Sequence, residues 1–162
     1  MERLWTPWRS AYVTSEPPPG CILCEKWQSQ DDEANLVVYR GTLAYILLNL
    51  YPYNSGHLMI APVAHVAQLP DLEPAARTEL IELAALATAV LKTVMRPDGF
   101  NLGMNLGRSA GAGIADHLHL HVVPRWEGDT NFMPLLAQTK VLPETLPQTY
   151  ARLAPAFAAA KR

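Results

Sequence analysis

The run His117-Leu118-His119-Leu120-His121-Val122-Val123-Pro124 alternates imidazole and aliphatic side chains, and this alternation constrains the fold more than any other stretch of the chain. A period of two is the period of a β-strand. Three rings then share one face, and Leu118, Leu120 and Val122 share the other. The aliphatic face calls for a core. The imidazole face calls for polar partners, because a buried ring nitrogen without a hydrogen bond is costly. Chance clustering would leave the rings idle, whereas a catalytic or metal-binding row uses them. Adjacent imidazoles resist simultaneous protonation, so at least one is expected neutral near pH 7, with a lone pair for an electrophile or a metal.

The segments around this strand read as one α+β domain. Val37-Val38-Tyr39 and Leu43 to Leu48 flank Arg40-Gly41-Thr42 as a hairpin, and His57 to Pro62 reads as a third strand. Asp71 is expected to cap a long helix running to about Met95, with Leu80, Leu83, Ala84, Ala87, Leu91 and Val94 at helical spacing and Pro97 just beyond. Phe100 to Asn105 and His117 to Val123 supply strands four and five, giving a five-stranded antiparallel sheet with one helix over a face. Residues 1–20, with Pro17-Pro18-Pro19-Gly20, read as an arm. Its Trp5 and Trp8 suit packing on the domain or a partner subunit, or base stacking. The tail, 143–162, is Ala-rich and helical, though Pro147 and Pro155 are expected to prevent one continuous unstrained helix. No internal repeat marks a second domain within 1–162.

Composition narrows the function classes. At 162 residues, 49% hydrophobic and 17% charged, the chain has the make-up of an ordinary folded domain. A net charge of −2, with 13 Lys and Arg and no basic run, gives no nucleic-acid footprint. No apolar stretch approaches the ~20 residues of a membrane span and no signal peptide is visible, so the expected location is the cytoplasm and no membrane partner is expected. The two cysteines form no disulfide framework, which agrees with a reducing compartment.

Gly107-Arg108-Ser109-Ala110-Gly111-Ala112-Gly113 directly precedes the histidine strand. A loop this poor in Cβ atoms is either a plain turn or, beside three histidines, a cradle whose backbone N–H groups surround a phosphate.

The alternating histidine run resembles the signature of the histidine triad (HIT) family of nucleotide hydrolases and transferases. Asn49 and Tyr51-Pro52-Tyr53-Asn54-Ser55-Gly56-His57-Leu58-Met59-Ile60-Ala61-Pro62 resemble that family's ribose-binding asparagine and fourth histidine, so the likeness spans roughly residues 20–135. Leu4-Trp5-Thr6-Pro7-Trp8-Arg9, the glycine loop, and Gly128-Asp129-Thr130-Asn131-Phe132-Met133 are most similar to the bacterial diadenosine tetraphosphate phosphorylase branch. The loop departs from the commoner pattern: a glutamine usually follows the counterpart of Ala110-Gly111, and here Ala112-Gly113-Ile114-Ala115-Asp116 fills the gap.

The resemblance implies His119 as nucleophile toward the α-phosphorus of an adenine nucleotide, His121 at the phosphate oxygens and His57 completing the polar surround. It implies Asn49 on the ribose, Asn105 on phosphate, and Gly107, Ser109, Gly111 and Gly113 around the leaving group or acceptor. It also implies a homodimer joined edge to edge through the sheets. Cys21-Ile22-Leu23-Cys24 supplies half of a tetrahedral zinc shell. His65 and His117 are the candidates for the remainder, a set the resemblance supports. Inert thiols and a redox dithiol are the alternatives, the latter lacking the preceding strand and following helix of a thioredoxin-like motif. The implied reaction converts diadenosine tetraphosphate and inorganic phosphate to ADP and ATP through a nucleotidyl-histidine. The alternatives are a hydrolase that uses water on dinucleotides or nucleotide phosphoramidates, and a zinc-stabilised nucleotide-binding module without turnover.

Overall fold

A computed structural model of the chain describes residues 20–129 and 142–160. Trp5, Trp8 and the rest of the arm before Gly20, and the stretch from Thr130 to Met133, lie outside the described residues. The elements run α1 (Ile22–Gln28), β1 (Val37–Arg40), β2 (Ala44–Leu48), β3 (Leu58–Pro62), α2 (Pro74–Met95), β4 (Gly99–Met104), β5 (Leu120–Arg125) and α3 (Leu146–Ala160). The five strands form one antiparallel sheet in the order β1-β2-β3-β5-β4.

Each face of the sheet buries its own cluster. Ala44, Ile46, Leu48, Leu58, Ile60, Leu118, Leu120 and Val122 pack against Leu80, Leu83, Ala84, Ala87, Val90 and Leu91 of α2 and Leu153 and Phe157 of α3. The spacing read from the sequence is therefore the buried stripe of α2, with Val94 packed at its margin. On the opposite face Val37, Tyr45, Leu47, Met59 and Ala61 pack around Leu23 of α1. Strands β2 and β3 are buried on both faces, which is why they read as near-continuous apolar runs instead of alternating.

Several boundaries differ from those expected. Asp71 ends a 3₁₀ turn, Leu69–Asp71, and the helix starts at Pro74 behind Glu73. Leu72 is extended, and a proline is preorganised for the first helical position, where its missing N–H costs nothing. Strand pairing of the histidine segment begins only at Leu120, because Leu118 N–H is taken by the Val66 carbonyl at 2.7 Å instead of by the neighbouring ladder. The tail forms one helix through Pro155: Pro147 falls in the first turn, where it is tolerated, and buried Leu153 and Phe157 hold the helix on both sides of the interior proline. Two helices, α2 and α3, cover the first face where one was expected.

Helix α1 was not expected at all. Cys21 is its N-cap, so a helix does follow the C-x-x-C pair. Seven residues are too few to hold a helix alone, and tertiary contacts hold this one. Leu23 is buried, Tyr45 Oη donates to the Leu23 carbonyl at 2.6 Å, and the Trp27 and Tyr45 rings meet with centroids 5.4 Å apart. At the C-terminal end the Arg40 guanidinium donates to the carbonyls of Lys26, Trp27 and Ser29 at 2.6–3.2 Å. Among the described residues no helix is long and apolar enough to cross a membrane.

Candidate active site

One row of cross-strand partners runs over the whole sheet: Val37, Leu47, Met59, His121 and Gly103, one from each strand. His121 thus sits at one end of a floor whose other end lies beneath α1. Above this floor opens a cleft of about 110 Å³. Asn49, Asn105, Gly111, Gly113, His119 and His121 line it together. His57 stands behind His121, fully buried. Gly107 and Ser109 are on the same loop but outside the cleft wall, and Ser109 is exposed. Gly111 has φ +89°, a left-handed conformation that suits glycine.

The hydrogen bonds assign a tautomer to each ring. His119 Nδ1 lies 2.9 Å from the carbonyl of His117, so Nδ1 carries the proton and Nε2 keeps its lone pair. Burial is the largest influence on this ring and pushes its pKa down, partly offset by that carbonyl, so the ring is neutral at pH 7. His57 Nδ1 accepts the Tyr53 backbone N–H at 3.1 Å, which places the His57 proton on Nε2. That nitrogen is 2.9 Å from His121 Nδ1 and donates to it, leaving His121 with its proton on Nε2. The result is a relay of fixed sense: backbone amide to His57, His57 to His121, and His121 as donor beside the lone pair of His119. The His119 and His121 rings are edge to face with centroids 4.9 Å apart.

Asn49 Oδ1 accepts Tyr51 N–H at 3.0 Å, which orients its amide. The loop carrying His57 is braced from the far end of β5. Asn54 Nδ2 donates to the Pro124 carbonyl at 2.9 Å and to Asp129 Oδ2 at 2.8 Å, while Arg125 Nε donates to the same carboxylate at 2.6 Å. The Arg125 hydrogen bond, helped by the Trp126 amide and Asn54 and opposed by burial, holds the Asp129 carboxyl below the usual range. Gly56, with φ +79°, precedes His57 where an added Cβ would come within 2.6 Å of Met95 Sδ.

His117 is buried and does not line the cleft. Its Nε2 donates to the Pro62 carbonyl at 2.8 Å, so its Nδ1 lone pair points at Cys21 Sγ, 3.2 Å away, and Cys24 Sγ, 3.5 Å away. His65 Nδ1 is 3.3 Å from Cys24 Sγ, and all four ligand atoms lie within 4.8 Å of one another. Ordinary zinc bond lengths put sulfur and nitrogen about 3.6 Å apart on a tetrahedron. The Cys–His separations of 3.2–3.5 Å fall slightly short of that spacing, and the Pro62 carbonyl is the usual outer partner that fixes a ligand ring. The chain brings together Cys21, Cys24, His65 and His117 as a group able to hold a metal.

Sequence reasoning missed part of the cleft wall. Ile22, Leu23 and Lys26 of α1 line it, as does Ile114. The helix that presents the first three is too short to leave a periodic signal.

Residues 30–128 match the family model of the HIT domain, and the chain belongs to the HIT family. It is 46% identical, over 98% of its length and 85% of the relative's, to the AP-4-A phosphorylase of Mycobacterium tuberculosis H37Rv. Among solved structures, a zinc-bound histidine triad family protein from Mycobacterium smegmatis superposes with a TM-score of 0.69 at 22% identity, over 87% of this chain and 95% of that one. A Plasmodium falciparum diadenosine triphosphate hydrolase superposes with a TM-score of 0.59 at 16% identity, over 76% and 75%. At these identities the two structures speak for the fold.

Proposed function

We propose that the protein is a nucleotidyltransferase that phosphorolyses diadenosine tetraphosphate to ADP and ATP. The observation that carries this reading is the His117 carbonyl holding His119 Nδ1–H, which leaves the Nε2 lone pair for an electrophile in the cleft. The 46% identity to an AP-4-A phosphorylase supports the substrate class. Nε2 of His119 attacks the α-phosphorus, the bond from that phosphorus to the bridging oxygen breaks, and ATP leaves with the bond's electrons. The adduct's ring charge is stabilised by the carbonyl already bonded to Nδ1–H. His121 Nε2–H donates to a phosphoryl oxygen, with Asn105 and the loop at Gly111 and Gly113 beside it and Asn49 on the ribose. Inorganic phosphate then attacks the adduct, its oxygen bonds to phosphorus, and ADP forms as His119 regains its lone pair. Gly107 and Ser109, outside the wall, shape this loop.

The same proposal places zinc at Cys21, Cys24, His65 and His117. There it would fix the N-terminus of α1 to the segment that leads into His119. It also takes the protein to be cytoplasmic and a homodimer joined through β4, an edge strand whose Leu102 is 49% exposed.

The test is product analysis with diadenosine tetraphosphate, with and without phosphate. Phosphate-dependent ADP plus ATP is expected, and AMP plus ATP regardless of phosphate would make the protein a hydrolase. His119→Ala should lower turnover about a thousandfold or more while dinucleotide affinity stays within about threefold. Turnover that persists in this variant would remove the nucleophile from the account.

A further inference from the structure

Resting on the nucleotide reading above, we infer that Lys26 determines base recognition by donating hydrogen bonds to the edge of a purine held at the α1 end of the cleft. The floor of the cleft fixes where a nucleotide's parts fall. His121 lies on β5, and Leu47 is two strands away on β2, about 10 Å at ordinary strand spacing. With the phosphate at His119 and His121 and the ribose at Asn49, the base falls at the end of the cleft that Ile22, Leu23 and Met59 line. That end is apolar, as a π-face requires. Lys26 follows Ile22 by four residues and Leu23 by three, so all three share one face of the helix. Among the described residues that line the cleft, it is the only lysine, arginine, aspartate or glutamate.

The side chain is held in place. Nζ donates to the Asn35 carbonyl at 2.9 Å, and its backbone carbonyl accepts from Arg40 at 3.2 Å. An ammonium has three N–H donors, and Asn35 takes one. The side chain is half-buried, and that burial lowers the lysine's pKa. A donor-only group selects base edges that carry acceptors. Guanine offers O6 and N7 side by side, whereas adenine offers N7 next to a donating amino group. Lys26 therefore gives the pocket a means of accepting guanine as well as adenine.

Binding by titration calorimetry separates this from a phosphate-binding or structural role, using AMP, GMP and ribose 5-phosphate on the wild type, Lys26→Met and Lys26→Arg. Methionine keeps most of the stem and removes the donor. Lys26→Met should weaken GMP by roughly tenfold or more and AMP by less, leave ribose 5-phosphate within about twofold, and be rescued for GMP by Lys26→Arg. The ratio of GMP to ribose 5-phosphate affinity is taken within each protein sample, so it does not depend on the folded fraction. A loss shared equally by ribose 5-phosphate, or nucleotide affinities that do not fall, overturns the inference and leaves the nucleotide reading standing. Failure of the wild type to bind either nucleotide overturns the nucleotide reading itself.

Discussion

At position 119 a single carbonyl, two residues back along the chain, decides which nitrogen carries the proton and so which one can react. The same logic recurs at His57, where the Tyr53 amide sets the sense of the relay, and at His117, where Pro62 turns the lone pair toward the cysteines. Residue types and spacing announced these rings, but which nitrogen each one offers depends on carbonyls and amides that the spacing does not fix. Asp129 shows the same limit. It stood in the sequence as part of a branch resemblance, and in the fold it braces the His57 loop through Asn54 and Arg125. Its carboxyl is held below its ordinary 3.8, so its stabilisation is present above that value and is lost as pH falls toward the lower folded value. Asp129→Asn should therefore unfold at a lower temperature than the wild type at pH 7, and the gap should narrow below about pH 4. A gap that stays constant down to pH 3 in thermal melts would deny the carboxylate this role.

Among the elements, α2 was legible because 22 residues repeat their apolar positions often enough to be read, and α1 was not because seven residues do not. Its stability comes from clamps at both ends: Arg40 at the C-terminal carbonyls, and the cysteine and histidine cluster at Cys21 and Cys24. If zinc occupies that cluster, Cys24→Ala or a strong chelator should lower the melting temperature by about 5 °C or more and weaken nucleotide binding through displacement of Ile22, Leu23 and Lys26. Elemental analysis reads the occupancy, and a chelator without effect on either quantity would count against the metal. Helix α3 carries a proline in its interior. Pro155 is exposed inside it, so Pro155→Ala restores the N–H that an interior proline lacks, at no packing loss. We expect a gain of about 1–3 kcal/mol in denaturant unfolding. No gain would mean that the helix is already relaxed around the proline.

For the molecule as a whole, the sheet leaves β4 as an edge with Asn101, Leu102 and Gly103 exposed. An edge of this kind needs a partner or a charge to keep it from unspecific pairing. If two copies join there, Leu102→Glu should halve the mass seen by light scattering while a monomer's fold, read by circular dichroism, is unchanged. A wild type that is already monomeric would remove the dimer. By itself the sequence determined what depends on nearest neighbours: the alternation that puts Leu118, Leu120 and Val122 in the core, the helical stripe of α2, and the identity of the five histidines and two cysteines with chemistry to offer. Tertiary structure alone decided the assembly of these parts. The pairing of His57 with His121, the meeting of Cys21 with His117 across 96 positions, and the placing of Lys26 over the floor of the cleft all come from strand register and from packing on the second sheet face. Such contacts arise only when distant segments bury a common surface, and no local pattern records which segments those are.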